Sequence, residues 1–97
     1  VEAKDLTGAT ALMYAGQFGN NEIVESLIEA GADLDAADSL GWTAAIRAVV
    51  GENLDGVTTL KEAGADFDAA DYFGRTALQI AEGRDSQEIV AFLTGGS

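Results

Sequence analysis

Apolar positions in this chain follow helical spacing within short segments, and polar or glycine residues separate these segments. In the stretch 22–29, the isoleucine, valine and leucine residues fall on one helical face, while three glutamates take the opposite face. A shorter apolar segment, 11–18, precedes it, and Gly19 separates the two. The pattern therefore predicts two short helices joined by a tight turn.

Residues with short polar side chains stand where these helices begin. Thr10 precedes the first helix, and Asn20 or Asn21 precedes the second. A side-chain oxygen at such a position accepts a hydrogen bond from an amide that the helix leaves unpaired. Gly31 is predicted to end the second helix, because glycine readily adopts the left-handed conformation. The stretch rich in Asp and Gly that begins at Ala32 is predicted to be a turn or β-finger.

The same plan returns at a step of 33 residues. The pattern Gly-x-Thr-Ala begins at Gly8, Gly41 and Gly74. A single helix pair cannot bury its apolar face alone, so the units are expected to stack. The period predicts later first helices over 44–50 and 77–82 after Thr43 and Thr76, and second helices capped by Asn53 and Ser86.

These residues resemble the ankyrin repeat, whose unit combines a Thr-Pro-Leu-His helix start, a Glu-Ile-Val helix and a Gly-Ala-Asp finger. This chain has Thr10-Ala11-Leu12-Met13, Glu22-Ile23-Val24 and Gly31-Ala32-Asp33, and it repeats variants of them later. The resemblance implies an all-α fold, an α-solenoid of helix–turn–helix units with β-turn fingers. It also implies a single array over 1–97, divided into the finger end of a preceding repeat (1–4), two repeats (5–37 and 38–70) and a truncated third (71–97).

Some positions depart from the family pattern. The family's proline is alanine in every unit, and its histidine is replaced by Met13, Ile46 and Gln79. Both changes are expected to loosen the helix starts, since proline preorganises the first turn. Glu52 and Asp85 stand where the first unit has Gly19, so the conformation of the turn near Glu52 is left open.

Composition narrows the possible partners. The net charge of −12 argues against binding to nucleic acid or to anionic membranes, which requires clustered Lys and Arg. It is compatible with a protein partner that is basic or that exposes an apolar patch. The chain has no cysteine and no apolar run long enough to span a membrane. No targeting segment is recognisable, which favours an intracellular protein, cytoplasmic or nuclear.

Residues suited to catalysis or metal binding are scarce. The chain has no histidine, and its serines have no evident activating partner. The spacing of Asp33, Asp35 and Asp38 has a faint likeness to a calcium loop, but it lacks the glycine and the glutamate that such a loop needs. These aspartates are interpreted as acceptors for amides of the finger turn. We therefore expect no enzyme activity, no catalytic residue, no cofactor and no metal site.

The resemblance implies that partners bind the finger tips and the exposed ends of the first helices. Several of these positions carry Trp, Tyr, Phe and Arg, residues that turns seldom contain and that binding hot spots favour. The alternative for any one aromatic residue is that it folds back over the neighbouring finger. The candidate contact residues are Leu6, Thr7, Ala9, Gln17, Phe18, Ser39, Leu40, Trp42, Val50, Tyr72, Phe73, Arg75 and Arg84.

The sequence thus favours a non-catalytic protein–protein interaction module. The alternative is a structural segment of a longer repeat array or a self-associating scaffold, and the oligomeric state stays open. Arg47 also has two interpretations, because its position suits packing between repeats. It either extends to the surface or bonds a neighbouring acid.

Overall fold

The computed structural model describes residues 10–95, which form helix pairs stacked in two layers. The first helices contact one another in chain order, the second helices do the same, and the two helices of each pair also contact each other. No β-strand is assigned over this range, so the predicted all-α repeat array is confirmed. The helices are α1 (Ala11–Phe18), α2 (Asn21–Glu29), α3 (Ala44–Val50), α4 (Leu54–Glu62), α5 (Ala77–Gly83) and α6 (Gln87–Leu93).

The first helices begin at the predicted threonines. The Thr10, Thr43 and Thr76 hydroxyls each accept a hydrogen bond from the amide three residues later, at 3.3, 3.4 and 3.2 Å. In the third unit, Gln79 Oε1 also accepts from the Thr76 amide at 3.0 Å. Gln79 occupies the place of the family's histidine, so this helix start keeps a reciprocal pair of bonds. The expected loosening of the helix starts stays a prediction.

The second helices begin after Asn20, Asn53 and Ser86, and only the two asparagine side chains make a cap bond. Asn20 and Asn53 accept from the amides three residues later, so Asn20 is the cap of α2. Ser86 is the N-cap residue of α6, as predicted, but its side chain makes no cap bond, and its hydroxyl instead donates to Glu52 Oε1 at 3.4 Å. The backbone ψ of Ser86 is close to that of Asn20 and Asn53. The difference lies in the side chain, because that of serine is one bond shorter than that of asparagine.

The turn between the two helices has one conformation in all three units. Gly19 has a φ of 82°, and Glu52 and Asp85 keep the left-handed region at 55° and 58°. In each turn the next amide donates to the carbonyl five residues before it, as Asn53 N does to Ala48 O at 2.9 Å. A left-handed residue with a side chain costs about 1–2 kcal/mol. The turn near Glu52 thus has the conformation that glycine adopts in the first unit, together with the same backbone bond and a side-chain bond from Ser86 of the third unit.

Small residues let the first helices approach closely. A Cβ at Gly16 of α1 would lie 3.6 Å from the Ala44 carbonyl oxygen and 3.8 Å from Ala48 Cβ. Ala77 and Ala81 of α5 are likewise fully buried. Two of the alanines that replace the family's proline thus lie in these contacts between units.

Larger side chains and one asparagine fill the space behind these helices. Leu12, Met13, Val24, Ile46, Val49, Val57 and Leu60 are the largest fully buried side chains. Asn53 Nδ2 donates to Gly16 O at 2.8 Å and to Asn21 Oδ1 at 3.1 Å, so the cap of α4 also bonds the first unit. Ile23, predicted for the apolar face of α2, is exposed. It lies on the side of the first unit that faces away from the second unit, in a cleft with Tyr14 and Phe18.

Gly51→Ala tests the packing between the first two units. The added Cβ would overlap the carbonyl oxygen of Gln17 in α1. We expect the free energy of unfolding to fall by about 2 kcal/mol, a typical cost of overpacking. Urea unfolding followed by the fluorescence of Trp42, the only tryptophan, measures the change.

Gly83→Ala is the matched control, since no atom lies within 4 Å of the place where its Cβ would be. Alanine there should leave the free energy of unfolding unchanged or raise it by up to about 1 kcal/mol, because glycine is a poor helix former. Equal stabilities for the two variants would contradict the described contact.

Candidate functional site

Each described finger is a tight turn built around one buried aspartate. We define the second finger as residues 38–43 and the third finger as residues 71–76. In the second finger, the Asp38 amide donates to the Trp42 carbonyl at 2.9 Å. Asp38 Oδ1 accepts from the Leu40 and Trp42 amides at 2.8 and 3.0 Å. The carboxylate therefore satisfies the amides of its own turn, as interpreted from the sequence.

The third finger repeats this arrangement. The Asp71 amide donates to the Arg75 carbonyl at 2.8 Å, and Asp71 Oδ1 accepts from the Phe73 and Arg75 amides at 2.9 and 3.0 Å. The Tyr72 amide donates to the Leu40 carbonyl at 3.0 Å, which joins the two fingers. The tip residues are thus held on a fixed backbone.

The more exposed aspartates also accept amide bonds. Asp33 Oδ1 accepts from the Asp35 amide at 3.0 Å, and Asp66 Oδ1 accepts from the Asp68 amide at 2.9 Å. Asp35 Oδ1 accepts from the Asp66 amide of the next unit at 3.0 Å. Within residues 10–95, no group of three or more acidic side chains is arranged to hold a metal ion.

Arg47 bonds a neighbouring acid, which decides between the two interpretations of this residue. Its Nη2 and Nε donate to Asp38 Oδ2 at 2.6 and 3.2 Å, and its Nη1 donates to Gln17 Oε1 at 2.9 Å. The guanidinium also lies 5.3 and 5.8 Å from the ring centroids of Tyr14 and Trp42. With 12% of its side chain exposed, Arg47 ties α1 to the second finger. The predicted contact residue Gln17 is part of this link.

Trp42 folds back over the neighbouring finger. Its Nε1 donates to Asp71 Oδ2 at 3.0 Å, and the same oxygen accepts from Arg75 Nε at 3.1 Å. Arg75 Nη2 lies 3.0 Å from this oxygen and completes an ion pair with it. The rest of the half-buried ring borders the groove described below. Trp42 is therefore a structural link between two units, and its proposed contact with a partner is limited to the exposed part of the ring.

These bonds lower the pKa of Asp71. Burial by itself would raise this pKa, but hydrogen bonds from the Arg75 amide, the Trp42 indole, the Arg75 guanidinium and the Phe73 amide outweigh that effect. The pKa of the carboxyl is held below its ordinary value of 3.8. Asp71 is thus charged at neutral pH and attracts the donors that shape the third finger.

The predicted contact residues fall into separate places. Tyr72 and Phe73 are 73% and 69% exposed at the tip of the third finger, and Ser39 and Leu40 are exposed on the second. Phe18 is also 73% exposed but lines a different cleft, with Tyr14 and Ile23. Leu6, Thr7 and Ala9 lie outside the described residues.

Four of the predicted residues come together in one groove of about 340 Å³ between the second and third units. The candidate list lacked the three other residues of this groove, Gln79, Ile80 and Gly83. Spacing near the end of α5 was the available signal, because Gln79 lies four residues before Gly83 and Ile80 four residues before Arg84, and residues three or four apart are neighbours on a helix surface. The groove is lined by Trp42, Val50, Arg75, Gln79, Ile80, Gly83 and Arg84.

Negative charge is concentrated away from the fingers and first helices. Over α1, residues 38–50 and residues 71–84, the formal charges cancel, with Asp38, Asp71 and Glu82 against Arg47, Arg75 and Arg84. The other acidic side chains of residues 10–95 lie on the second helices, in the turns between helices and in the stretches that follow the second helices. The finger side is therefore formally neutral in an acidic chain.

A comparison with protein families matches residues 1–71 to a model described as ankyrin repeats, in three copies. A comparison with curated proteins finds no match. None of the helices within the described part of the chain is long and apolar enough to cross a membrane.

The lowered pKa of Asp71 predicts an acid-dependent loss of stability. Because the folded pKa lies below the unfolded one, the charged carboxylate stabilises the fold at pH values above 3.8. This stabilisation is lost as the pH falls from there through the lowered pKa. Asp71→Asn removes the charge, and we expect it to lower the free energy of unfolding at pH 7 by about 2 kcal/mol.

Urea unfolding at a series of pH values, followed by Trp42 fluorescence, checks this expectation. Asp71→Asn should show a weaker acid dependence than the parent chain. The control is Asp68→Asn, an exposed aspartate in the preceding stretch. If Asp71→Asn kept the full acid dependence of the parent, the carboxyl would not be the group responsible.

Proposed function

Since the chain belongs to the ankyrin repeat family, we propose that it is a non-catalytic module that binds a protein partner through its fingers and first helices. Ankyrin repeats are generally protein–protein interaction modules. We place the repeat boundaries at residues 38 and 71, so that each of these units begins with its finger aspartate. The proposed contact surface comprises the exposed candidate residues of the second and third fingers and the groove beside them.

The exposed aromatic pair at the tip of the third finger is the observation that carries this proposal. Tyr72 and Phe73 leave about 70% of their surface in solvent, whereas turns usually carry small polar residues. Exposed aromatic side chains of this kind are typical binding hot spots.

The support beneath the pair also favours binding. Asp71 bonds the amides of the turn, the Tyr72 amide bonds Leu40, and the Arg75 guanidinium lies 5.3 Å from the Phe73 ring centroid. A surface held in place before contact loses little conformational entropy on binding. Rigid presentation of the finger tip is therefore the proposed mechanism.

Photo-crosslinking tests the proposed surface. A benzoylphenylalanine replaces Phe73 in one variant and Glu25, exposed on α2, in another. After irradiation in an extract of the cells that produce the chain, we expect protein adducts at position 73 and none at position 25. Adducts at position 25 alone would place the contact on the second helices and contradict the proposal.

The affinity of the Phe73→Ser variant then measures how much the Phe73 side chain contributes to binding. Affinity for the crosslinked protein should fall by roughly tenfold or more, as for a hot-spot residue. The free energy of unfolding should stay within about 0.5 kcal/mol of the parent value, because the side chain is largely exposed. A variant that unfolds less cooperatively or at lower urea would be excluded from the comparison.

A second function, self-association or a place within a longer array, is favoured by the outer side of the first unit. Phe18 and Ile23 are 73% and 46% exposed there and line an apolar cleft of about 400 Å³ with Ala15. At the position matching Ile23, the second and third units carry Gly56 and Ile89, both buried. This side of the first unit therefore has the character of an interface between units.

Sedimentation across a concentration series tests the second function. Self-association predicts a dimer whose population rises with concentration, which Phe18→Glu abolishes by placing a charge in the apolar cleft. Phe73→Ser is the control, since it lies on the third finger and should leave the dimer intact. A chain that stays monomeric throughout the series would contradict self-association.

A further inference from the structure

The groove between the second and third units has an apolar floor. Trp42, Val50 and Ile80 line it, and all three also pack against the hydrophobic core. Gly83 adds no side chain, and the space where its Cβ would lie is open. A volume of about 340 Å³ is enough for one or two side chains of a partner.

The side chains around this floor present hydrogen-bond donors. Arg75 uses Nε and Nη2 on Asp71, which leaves Nη1 for a ligand, and 49% of its side chain is exposed. Gln79 Oε1 accepts from the Thr76 amide, so its amide nitrogen is the end available to a partner. The indole N–H of Trp42 is already bonded to Asp71. A ligand that fits these groups is an acceptor.

Arg84 is the most available cation of the groove. Its Nη2 lies 3.7 Å from Glu52 Oε2, which is longer than a hydrogen bond, and 44% of the Arg84 side chain is exposed. Glu52 is itself 57% exposed, and an exposed ion pair of this kind contributes little free energy. A partner carboxylate with direct, bidentate geometry can therefore replace Glu52 as the partner of Arg84.

Among residues 10–95, the two cations outside the groove each stand apart from any other cation that could join them in binding an acidic ligand. Arg47 is buried against Asp38, and Lys61 lies on α4 with its Nζ 5.6 Å from the Phe67 ring centroid. Arg75 and Arg84, the other two cations of the described residues, both line the groove. The finger side is formally neutral, and the exposed Glu52 carboxylate beside Arg84 is a local source of repulsion that an acidic segment has to displace.

We propose that this groove binds a partner segment in which a Glu or Asp side chain stands next to an apolar one. The carboxylate bonds Arg84, with Arg75 and Gln79 beside it, and the apolar side chain rests on Ile80 and Val50. This inference rests on the proposed function, since it names the chemistry of the partner for part of that surface. A basic segment fits less well, because none of the side chains that line the groove offers it a free acceptor.

Capped fluorescent peptides test the inference directly. The peptides share Ser/Gly flanks and carry Glu-Leu-Glu, Gln-Leu-Gln, Lys-Leu-Lys or Glu-Ser-Glu at the centre, and anisotropy measures their affinity. We expect Glu-Leu-Glu to bind best. Gln-Leu-Gln tests whether binding needs a charge on the peptide, and Lys-Leu-Lys tests whether that charge must be negative. Glu-Ser-Glu tests whether binding needs the apolar side chain.

Paired variants of the chain locate the binding. Arg84→Gln should weaken Glu-Leu-Glu binding roughly tenfold, as expected for the loss of a charge-assisted bond. Lys61→Gln makes the same change of charge on α4 and should leave the affinity unchanged. Glu52→Gln should strengthen binding by removing the competing carboxylate, whereas Glu25→Gln, with the same change of charge on α2, should not.

Several outcomes would overturn the inference. These are equal or tighter binding of Gln-Leu-Gln or Lys-Leu-Lys, no binding of Glu-Leu-Glu at its solubility limit, and equal losses in Arg84→Gln and Lys61→Gln. The proposed function is judged separately by crosslinking at position 73. Adducts at Phe73 together with a failed peptide series would contradict the acidic partner but support the proposed binding surface. Adducts at position 25 alone would contradict the proposed surface.

Discussion

Contact between neighbouring units is the constraint on which this structure depends. A pair of short helices has too little apolar surface to fold alone, so each pair must bury one side against the next. Gly16, with Ala44 and Ala48 opposite it, allows the first helices to approach closely. Asn53 adds polar bonds from the cap of α4 to the first unit. The first helices are therefore aligned, and the fingers at their starts lie side by side.

The finger aspartates use this alignment to hold a surface in place. Asp38 and Asp71 each bond the amides of their own turn with one oxygen. The other oxygen accepts from side chains, and the indole of Trp42 reaches Asp71 from the preceding finger. Their buried charge is matched by arginine, which leaves the finger side formally neutral while the second helices carry the acidity. The exposed aromatic tip and the groove beside it follow from the same arrangement.

Departures from the family pattern show that backbone position matters more than residue identity here. Gln79 keeps the reciprocal bond at the start of α5 although the family's histidine is missing. Glu52 keeps the left-handed turn that Gly19 adopts in the first unit. In both cases local hydrogen bonds accompany the conformation, and Glu52 also accepts a bond from Ser86 of the third unit. The side chain of Glu52 then reaches the third unit, near Arg84 and Ser86.

The sequence by itself determined the repeat, the helices and their threonine and asparagine caps, because these depend on a fixed period and on bonds between residues three or four positions apart. It also identified the fingers and most residues of the groove through the family resemblance. Only the tertiary structure decided that Trp42 bonds Asp71, 29 residues away, and that Arg47 bonds Gln17, 30 residues away. It likewise decided that Ser86 turns toward Glu52 and that Ile23 stays exposed. These outcomes depend on which unit lies next to each side chain. The local sequence carries little information about contacts between residues about 30 positions apart.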